Sequence, residues 1–246
     1  MCTMIVATNY FAGTPLLVAG NRDEWLSRPS APPEVRLLDA ANRIPILAPM
    51  DLKAHGTWLG LNAFGVFVGI TNRYGQPPDP NRRSRGELVL QALSCRSAVE
   101  AFDLMQRTTP GDFNRFHLVM ADRGKAFLLW SDGERLHPSE LTPGIHVVTE
   151  RSLVSTITVR EEKLKAKLSL LPREQAPDEA VLHEMLAQHD DDPFNGTCVH
   201  LPGQVYGTRS STLLWLFADG TNRFLHAEGP PCQSAYQDFS SQAVFT

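Results

Sequence analysis

The sequence is short of cysteine, of basic charge and of long apolar runs, and each shortage excludes a class of protein. Four cysteines in 246 residues, at positions 2, 95, 198 and 232, include no CxxC pair and no zinc-ligand spacing. Neither a disulfide framework nor a zinc module is therefore expected, and a reducing compartment, the cytoplasm, is the default. Lys and Arg number 23 against 27 Asp and Glu, a net charge of −4 that offers no electrostatic footprint for nucleic acid or anionic lipid. No stretch reaches the roughly 18 consecutive apolar residues of a membrane span, and the opening Met-Cys-Thr-Met-Ile-Val has no basic leader. We expect no membrane span, no signal peptide and no nucleic-acid partner. Gly56, Gly60, Gly65 and Gly69 form neither a GxGxxG nor a Walker loop, and the histidines include no HExxH.

What is present is an ordinary globular composition, 42% hydrophobic and 20% charged, in a chain long enough to bury a core without metal or disulfide staples. No composition break, repeat or low-complexity tract divides it, so residues 1–246 are read as a single domain. Apolar runs at 2–8 and 16–20 flank a turn containing Gly13 and Pro15 and predict a hairpin at the very start. The Pro-rich passage from Pro29 to Pro33 reads as a connection. A second hairpin follows around Asn62-Ala-Phe-Gly65. Ser84 with Glu87 and Ser97 with Glu100 have capping-box spacing and predict two helices over roughly 84–108. Strands are predicted near 116–120, 126–130 and 145–149, helices near 158–171 and 178–189 with Thr158 and Asp178 as N-caps, and a closing hairpin over 212–226. Adjacent hairpins without a βαβ alternation point to an α+β fold, a four-layer αββα sandwich of antiparallel sheets.

Cys2 carries the most chemistry. Methionine aminopeptidases remove an initiator Met ahead of a small side chain, and cysteine qualifies. The freed α-amine, with an ordinary pKa near ~7.8, would lie beside a thiol near ~8.5, so one residue supplies both base and nucleophile. If Met1 stays, the amine is an amide and the base is lost. Asn21-Arg22-Asp23-Glu24 ends the strand that pairs with the one carrying Cys2. Asp23 can orient the α-ammonium, Arg22 can favour the thiolate, and Glu24 is expected to turn away from the face Asp23 uses. Asn62 and Asn72 bracket the second hairpin, and an amide at a strand end can donate to a developing oxyanion or simply form a turn. Arg209, among the small hydroxyl residues of Tyr206-Gly-Thr-Arg-Ser-Ser-Thr212, reads as a fixed guanidinium. Cys198 and His200 offer two soft ligands without the third and fourth that a metal needs, so no metal is expected. Glu161, Glu162, Lys163, Lys165 and Lys167 read as the wet face of a helix.

Taken together, Met1-Cys2, the Asn21–Glu24 run, Gly56-Thr-Trp-Leu-Gly-Leu-Asn62 with Gly65 and Thr71-Asn72, Ser84-Arg-Gly-Glu-Leu88, Phe113-Asn114 and Tyr206–Thr212 resemble the NRDE family, in order from residue 1 to about residue 228. The resemblance implies an N-terminal-nucleophile hydrolase fold, and a more distant similarity to penicillin V acylases and bile salt hydrolases, whose terminal Cys attacks an unstrained amide. Carried over by position, it makes Cys2 nucleophile and base, Asp23 its orienting acid, Asn72 an oxyanion contributor and Arg209 a supporting guanidinium. Arg22, Asn21, Asn62, Trp58 and Glu150 would line the substrate, a small-molecule amide or amphipathic ligand. Two positions depart from the acylases. Gly20 stands where they have an Arg, and Glu150 stands where an Asn is usual; an ionised Glu accepts hydrogen bonds but donates none. The resemblance also implies a second reading, a non-catalytic carrier of haem or an acyl thioester using the same cleft. No cofactor is expected for the enzyme; for haem, His117, His146 or Cys2 would be the axial candidates.

Overall fold

The computed structural model describes residues 2–38, 44–153, 157–201 and 203–245; Met1, and with it any expectation about its removal, lies outside them. In chain order the strands and helices are β1 (Cys2–Phe11), β2 (Thr14–Trp25), β3 (Ser30–Leu37), β4 (Pro45–Asp51), β5 (Leu59–Asn62), β6 (Phe67–Asn72), α1 (Gly86–Leu93), α2 (Ala98–Met105), β7 (Phe116–Ala121), β8 (Ala126–Ser131), β9 (Leu136–Glu140) and β10 (Gly144–Thr149). They continue with α3 (Val159–Ser169), α4 (Glu179–Leu186), β11 (Tyr206–Leu216), β12 (Asn222–Ala227) and β13 (Gln237–Asp238). Every ladder in the two sheets is antiparallel, and the class is α+β. The chain divides into two compact units, residues 1–28 with 143–240, and 29–142 with 241–246.

The first unit is built on a six-stranded sheet in the order β10-β1-β2-β11-β12-β13. Its central hairpin, β1 to β2, turns at Ala12-Gly13, where φ of Gly13 is +71°, a left-handed value that costs glycine little. Strand alternation puts Ile5, Ala7, Leu17 and Ala19 on one face, and Leu213, Trp215 and Leu225 extend it across the neighbouring strands. Leu164 and Leu168 of α3 and Leu182, Met185 and Leu186 of α4 cover that face. Each Leu buried there contributes about 2 kcal/mol of transfer free energy. The α3 N-terminus is fixed by a full capping box between Thr158 and Glu161, and Asp178 caps α4 by accepting the Val181 N–H at 3.0 Å, both as the spacing predicts.

The second unit is a seven-stranded meander, β3 to β9 in sequence order, with α1 and α2 packed on one face through Leu88, Val89, Leu93, Ala101 and Met105. Three sequence expectations change here. The passage after Pro29 is strand, not connection: Pro32 and Pro33 sit in β3, an edge strand, where the ladder register shifts between Ala31 and Glu34. Proline lacks the N–H a central strand must donate, so an edge with a bulge is where it is tolerated. Ser84 does not cap α1; Arg85 holds that position without a side-chain bond, and Glu87 pairs with Arg83 at 2.7 Å instead. Ser97 does cap α2, accepting the Glu100 N–H at 3.1 Å. Asn62, expected to line substrate, is fully buried and donates to the Leu93 and Cys95 carbonyls at 2.9 and 2.7 Å while its Oδ1 accepts from Phe64 and Val66. It pins the β5–β6 turn to the end of α1 and has no N–H left for a ligand.

Candidate active site

In the first unit, one end of the sheet gathers most of the predicted residues. Cys2 opens β1 and stands directly across the ladder from Arg22, so the two side chains share a face. Burial pushes the Cys2 thiol above its ordinary pKa and the Asp23 carboxylate pushes it further up, while the Asp23 backbone N–H and the Arg22 guanidinium oppose that by favouring thiolate. Arg22 is itself buried and lies 3.7 Å from Glu24, so Arg22 and Glu24 occupy the same side while Asp23, between them, projects to the other. Glu24 does turn away from the face of Asp23, as alternation predicts.

The Asp23 carboxylate lies among buried polar groups beside α3. Thr208, its partner across the β2–β11 ladder, donates to Oδ1 at 2.7 Å, and the Tyr206 hydroxyl donates to the Asp23 carbonyl at 3.0 Å. Burial pushes the Asp23 carboxyl up to about 6; the Arg160 guanidinium and the Thr208 hydroxyl pull it down, and Glu150 pushes it further up. Arg160, 2% exposed, is the largest fully buried side chain in the protein's described residues. It donates to Thr3 Oγ1 at 3.0 Å and to the Phe194 carbonyl at 2.6 Å, and its Nη1 lies 3.6 Å from Glu150 Oε2. Glu150 follows β10 directly and is 6% exposed; Arg151 is its second cationic neighbour at 3.8 Å. Glu150 and Arg160 line a cleft of about 340 Å³ with Thr149, Ile157, Thr158 and Phe194.

Asn21 does not line that cleft. It is buried, donating to the Leu186 and Thr197 carbonyls at 2.9 Å each, and so ties β2 to the end of α4. Arg209 is the extra residue of a β-bulge, since the β11–β2 register jumps between Thr208 and Ser210. A bulge re-aims a side chain, and here the Arg209 guanidinium acts on Glu228, which also feels Arg22. Its Nε is buried with no hydrogen-bond partner among the described residues.

Asn72 and Trp58 belong to the second unit. Trp58 is half-buried against the core beneath α1. Asn72 is exposed at the end of β6 and lines a cleft of about 310 Å³ with Arg73, Arg82, Arg85, Asn114 and Arg115. His117, a haem-ligand candidate, is fully buried in β7 with Nδ1 3.3 Å from Thr71 Oγ1.

Sequence reasoning missed Arg160 and the roles of Thr208 and Tyr206. The face assigned to water on α3 holds Glu161, which is 3% exposed; its Oε1 accepts from the Ser152 hydroxyl and its Oε2 from the Thr158 N–H. A cation at the second position of a helix opposes the macrodipole, and that placement of Arg160 is the signal that a buried anion holds it. A second correction concerns Cys198 and His200. They do not stand alone, because His189 and Cys232 come in from either side, and the four ligand atoms lie within 4.8 Å of one another.

Comparison with known proteins gives this geometry a context. A family model described as Transport and Golgi organisation 2 matches residues 1–228. The chain belongs to that family. It is 29% identical over 244 residues to the human Transport and Golgi organization protein 2 homolog and 28% identical over 240 residues to the mouse one, with 83% of each chain covered in both cases. Among solved structures, this chain resembles the Caenorhabditis elegans N-acylethanolamine-hydrolyzing acid amidase ortholog, with a TM-score of 0.62 at 18% identity over 99% of this chain and 97% of that one. It also resembles the conjugated bile acid hydrolase of Clostridium perfringens, with a TM-score of 0.57 at 11% identity over 98% and 93%. Penicillin V acylase from Agrobacterium tumefaciens gives 0.54 at 15% over 99% and 88%. The shared feature is the fold, that of the N-terminal-nucleophile hydrolases.

Proposed function

We propose that this protein is a cysteine amidohydrolase of the N-terminal-nucleophile type, acting in the cytoplasm on a linear amide of a small amphipathic molecule. The observation that carries the reading is the placement of Cys2 at the first position of a central strand, opposite a buried Arg22 and within reach of the Asp23 N–H. The likeness in fold to an N-acylethanolamine-hydrolyzing acid amidase ortholog supports amides with an acyl arm as the substrate class.

The chemistry runs as acyl transfer. Removal of Met1 frees the α-amine of Cys2, which takes the thiol proton as the sulfur attacks the carbonyl carbon. The tetrahedral intermediate needs hydrogen-bond donors aimed at its oxyanion. Collapse breaks the C–N bond, the α-ammonium returns its proton to the departing amine, and a thioester remains on Cys2. Water, activated by the same amine, then releases the carboxylic acid. Asp23 as carboxylate holds the ammonium in place through both steps; Thr208 holds Asp23. Glu150 supplies no donor, so the Asn found there in acylases is not replaced in kind.

A screen of N-acyl amino acids, N-acylethanolamines and aryl amides, with Cys2→Ala as control, tests the reading. Turnover by the parent protein and none by Cys2→Ala supports it. Haem or acyl-thioester binding with no turnover of any amide would replace it with a carrier.

A further inference from the structure

We infer that His189, Cys198, His200 and Cys232 form a tetrahedral Cys2His2 site for zinc, a structural metal centre in the first unit that stands whether or not Cys2 is catalytic. His189 lies in the segment after α4, Cys198 and His200 lie two residues apart before β11, and Cys232 comes from the turn after β12. Sγ of Cys198 lies 3.4 Å from Sγ of Cys232 and 3.6 Å from Nε2 of His200, which is 3.3 Å from Sγ of Cys232.

Those separations decide between three occupants of the same space. A disulfide holds its sulfurs at about 2.05 Å, and all four cysteines are free. Ordinary S–H hydrogen bonds are weak and give no reason for two thiols and two imidazoles to converge where His189 and His200 have solvent to face. A zinc ion with bonds of about 2.3 Å to sulfur and about 2.0 Å to nitrogen sets a sulfur–nitrogen edge of about 3.5 Å and a sulfur–sulfur edge of about 3.8 Å. The two edges from His200, 3.6 and 3.3 Å, match the former; the sulfur–sulfur edge of 3.4 Å opens by about 0.4 Å when the ion enters, and the His189 ligand atom, within 4.8 Å of the others, closes in by up to about 1 Å. Thiolates and imidazoles select zinc over the hard cations, which take oxygen. His189 adds the outer contact that metal-bound histidines use: its Nδ1 lies 3.1 Å from the Cys198 carbonyl, which fixes Nδ1 as the protonated nitrogen and leaves Nε2 the lone pair.

Four protein ligands close the coordination sphere, so the ion would be structural and not a Lewis acid open to substrate. What it braces is specific. Val199, between two of the ligands, donates to Thr208 Oγ1 at 2.8 Å and accepts from the Thr208 N–H at 2.8 Å, and Thr208 holds Asp23. Gly207 makes this contact close: a Cβ there would stand 2.5 Å from the Val199 carbonyl oxygen. The metal thus fixes the segment against which the β11 residues behind Asp23 are aligned. Binding replaces two thiol protons, which leave to the buffer, with two metal–sulfur bonds.

The test uses the full chain, kept reduced, stripped with chelator and titrated with Co2+ as the probe, followed by Zn2+. We expect saturation at a single equivalent, the intense visible bands of tetrahedral cobalt thiolate, their loss when Zn2+ displaces cobalt, and a higher thermal midpoint with Zn2+. Cys232→Ser and, independently, His200→Ala, whose side chain is exposed, should each weaken or abolish the bands while leaving the circular-dichroism spectrum unchanged. Absence of the bands in the reduced parent chain, bands that persist unchanged in both variants, or a Cys198–Cys232 disulfide that forms in the presence of excess Zn2+ would overturn the inference.

Discussion

Thr208 Oγ1 donates to Asp23 Oδ1 at 2.7 Å while accepting the Val199 N–H at 2.8 Å, so one hydroxyl joins the candidate acid to the segment between Cys198 and His200. Thr208→Val keeps the shape and removes both bonds. A buried N–H then lacks its acceptor and a buried carboxylate its donor, which costs about 1–3 kcal/mol of stability. The Asp23 pKa moves further up, because the Thr208 bond favours the ionised form. Urea unfolding and the acid limb of the pH–rate profile read the two effects separately; a profile identical to the parent's would remove Thr208 from the site.

Asp23 itself is a group whose burial raises its folded-state pKa, from 3.8 to about 6. The folded state therefore holds a proton that the unfolded state has released, and stability falls as pH rises through that window. At pH 7 the ionised carboxylate costs about 3 kcal/mol, at 1.36 kcal/mol for each pK unit. Asp23→Asn should raise the thermal midpoint at pH 7, raise it little near pH 4, and abolish amide turnover. A variant that is both inactive and less stable at neutral pH would mean the carboxylate is held for structure.

Glu150 and Arg160 act on Asp23 with opposite sign. Neutralising Glu150 by Glu150→Gln lowers the Asp23 pKa and shifts the acid limb of the rate profile to lower pH. Arg160→Met shifts it to higher pH, and also leaves Glu150 buried with only Arg151 nearby, a loss of about 3 kcal/mol. Adding Glu150→Gln to Arg160→Met should recover most of that stability. Shifts in the same direction for both single variants would contradict the electrostatic assignment.

Much of the first unit was legible in the sequence because its strands alternate strongly: Ile5, Ala7, Leu17 and Ala19 mark a buried face, and Cys2 and Arg22 follow from the hairpin register. The β3 strand was hidden because Pro32 and Pro33 argue against a ladder, an argument that fails at an edge. Asn62 and Asn21 were misplaced for one reason: an Asn at a strand end reads as ligand-facing or as a turn former, and only the fold reveals the backbone carbonyls each one meets, those of Leu93 and Cys95 for Asn62, and Leu186 and Thr197 for Asn21. Arg160 was masked by its charged neighbours on α3. The Cys198–Cys232 approach spans 34 residues and no local spacing encodes it.

The central claim is that Cys2 is the mature terminus and the most reactive thiol. Its most direct measurement is peptide mass spectrometry of the cellular protein after brief reaction at neutral pH with a substoichiometric alkylating agent such as chloroacetamide. The account predicts an N-terminal peptide that begins at Cys2, carries the adduct on its sulfur, and loses it in Asp23→Asn. A peptide that begins at Met1, or adducts distributed evenly over Cys2, Cys95, Cys198 and Cys232, would contradict it.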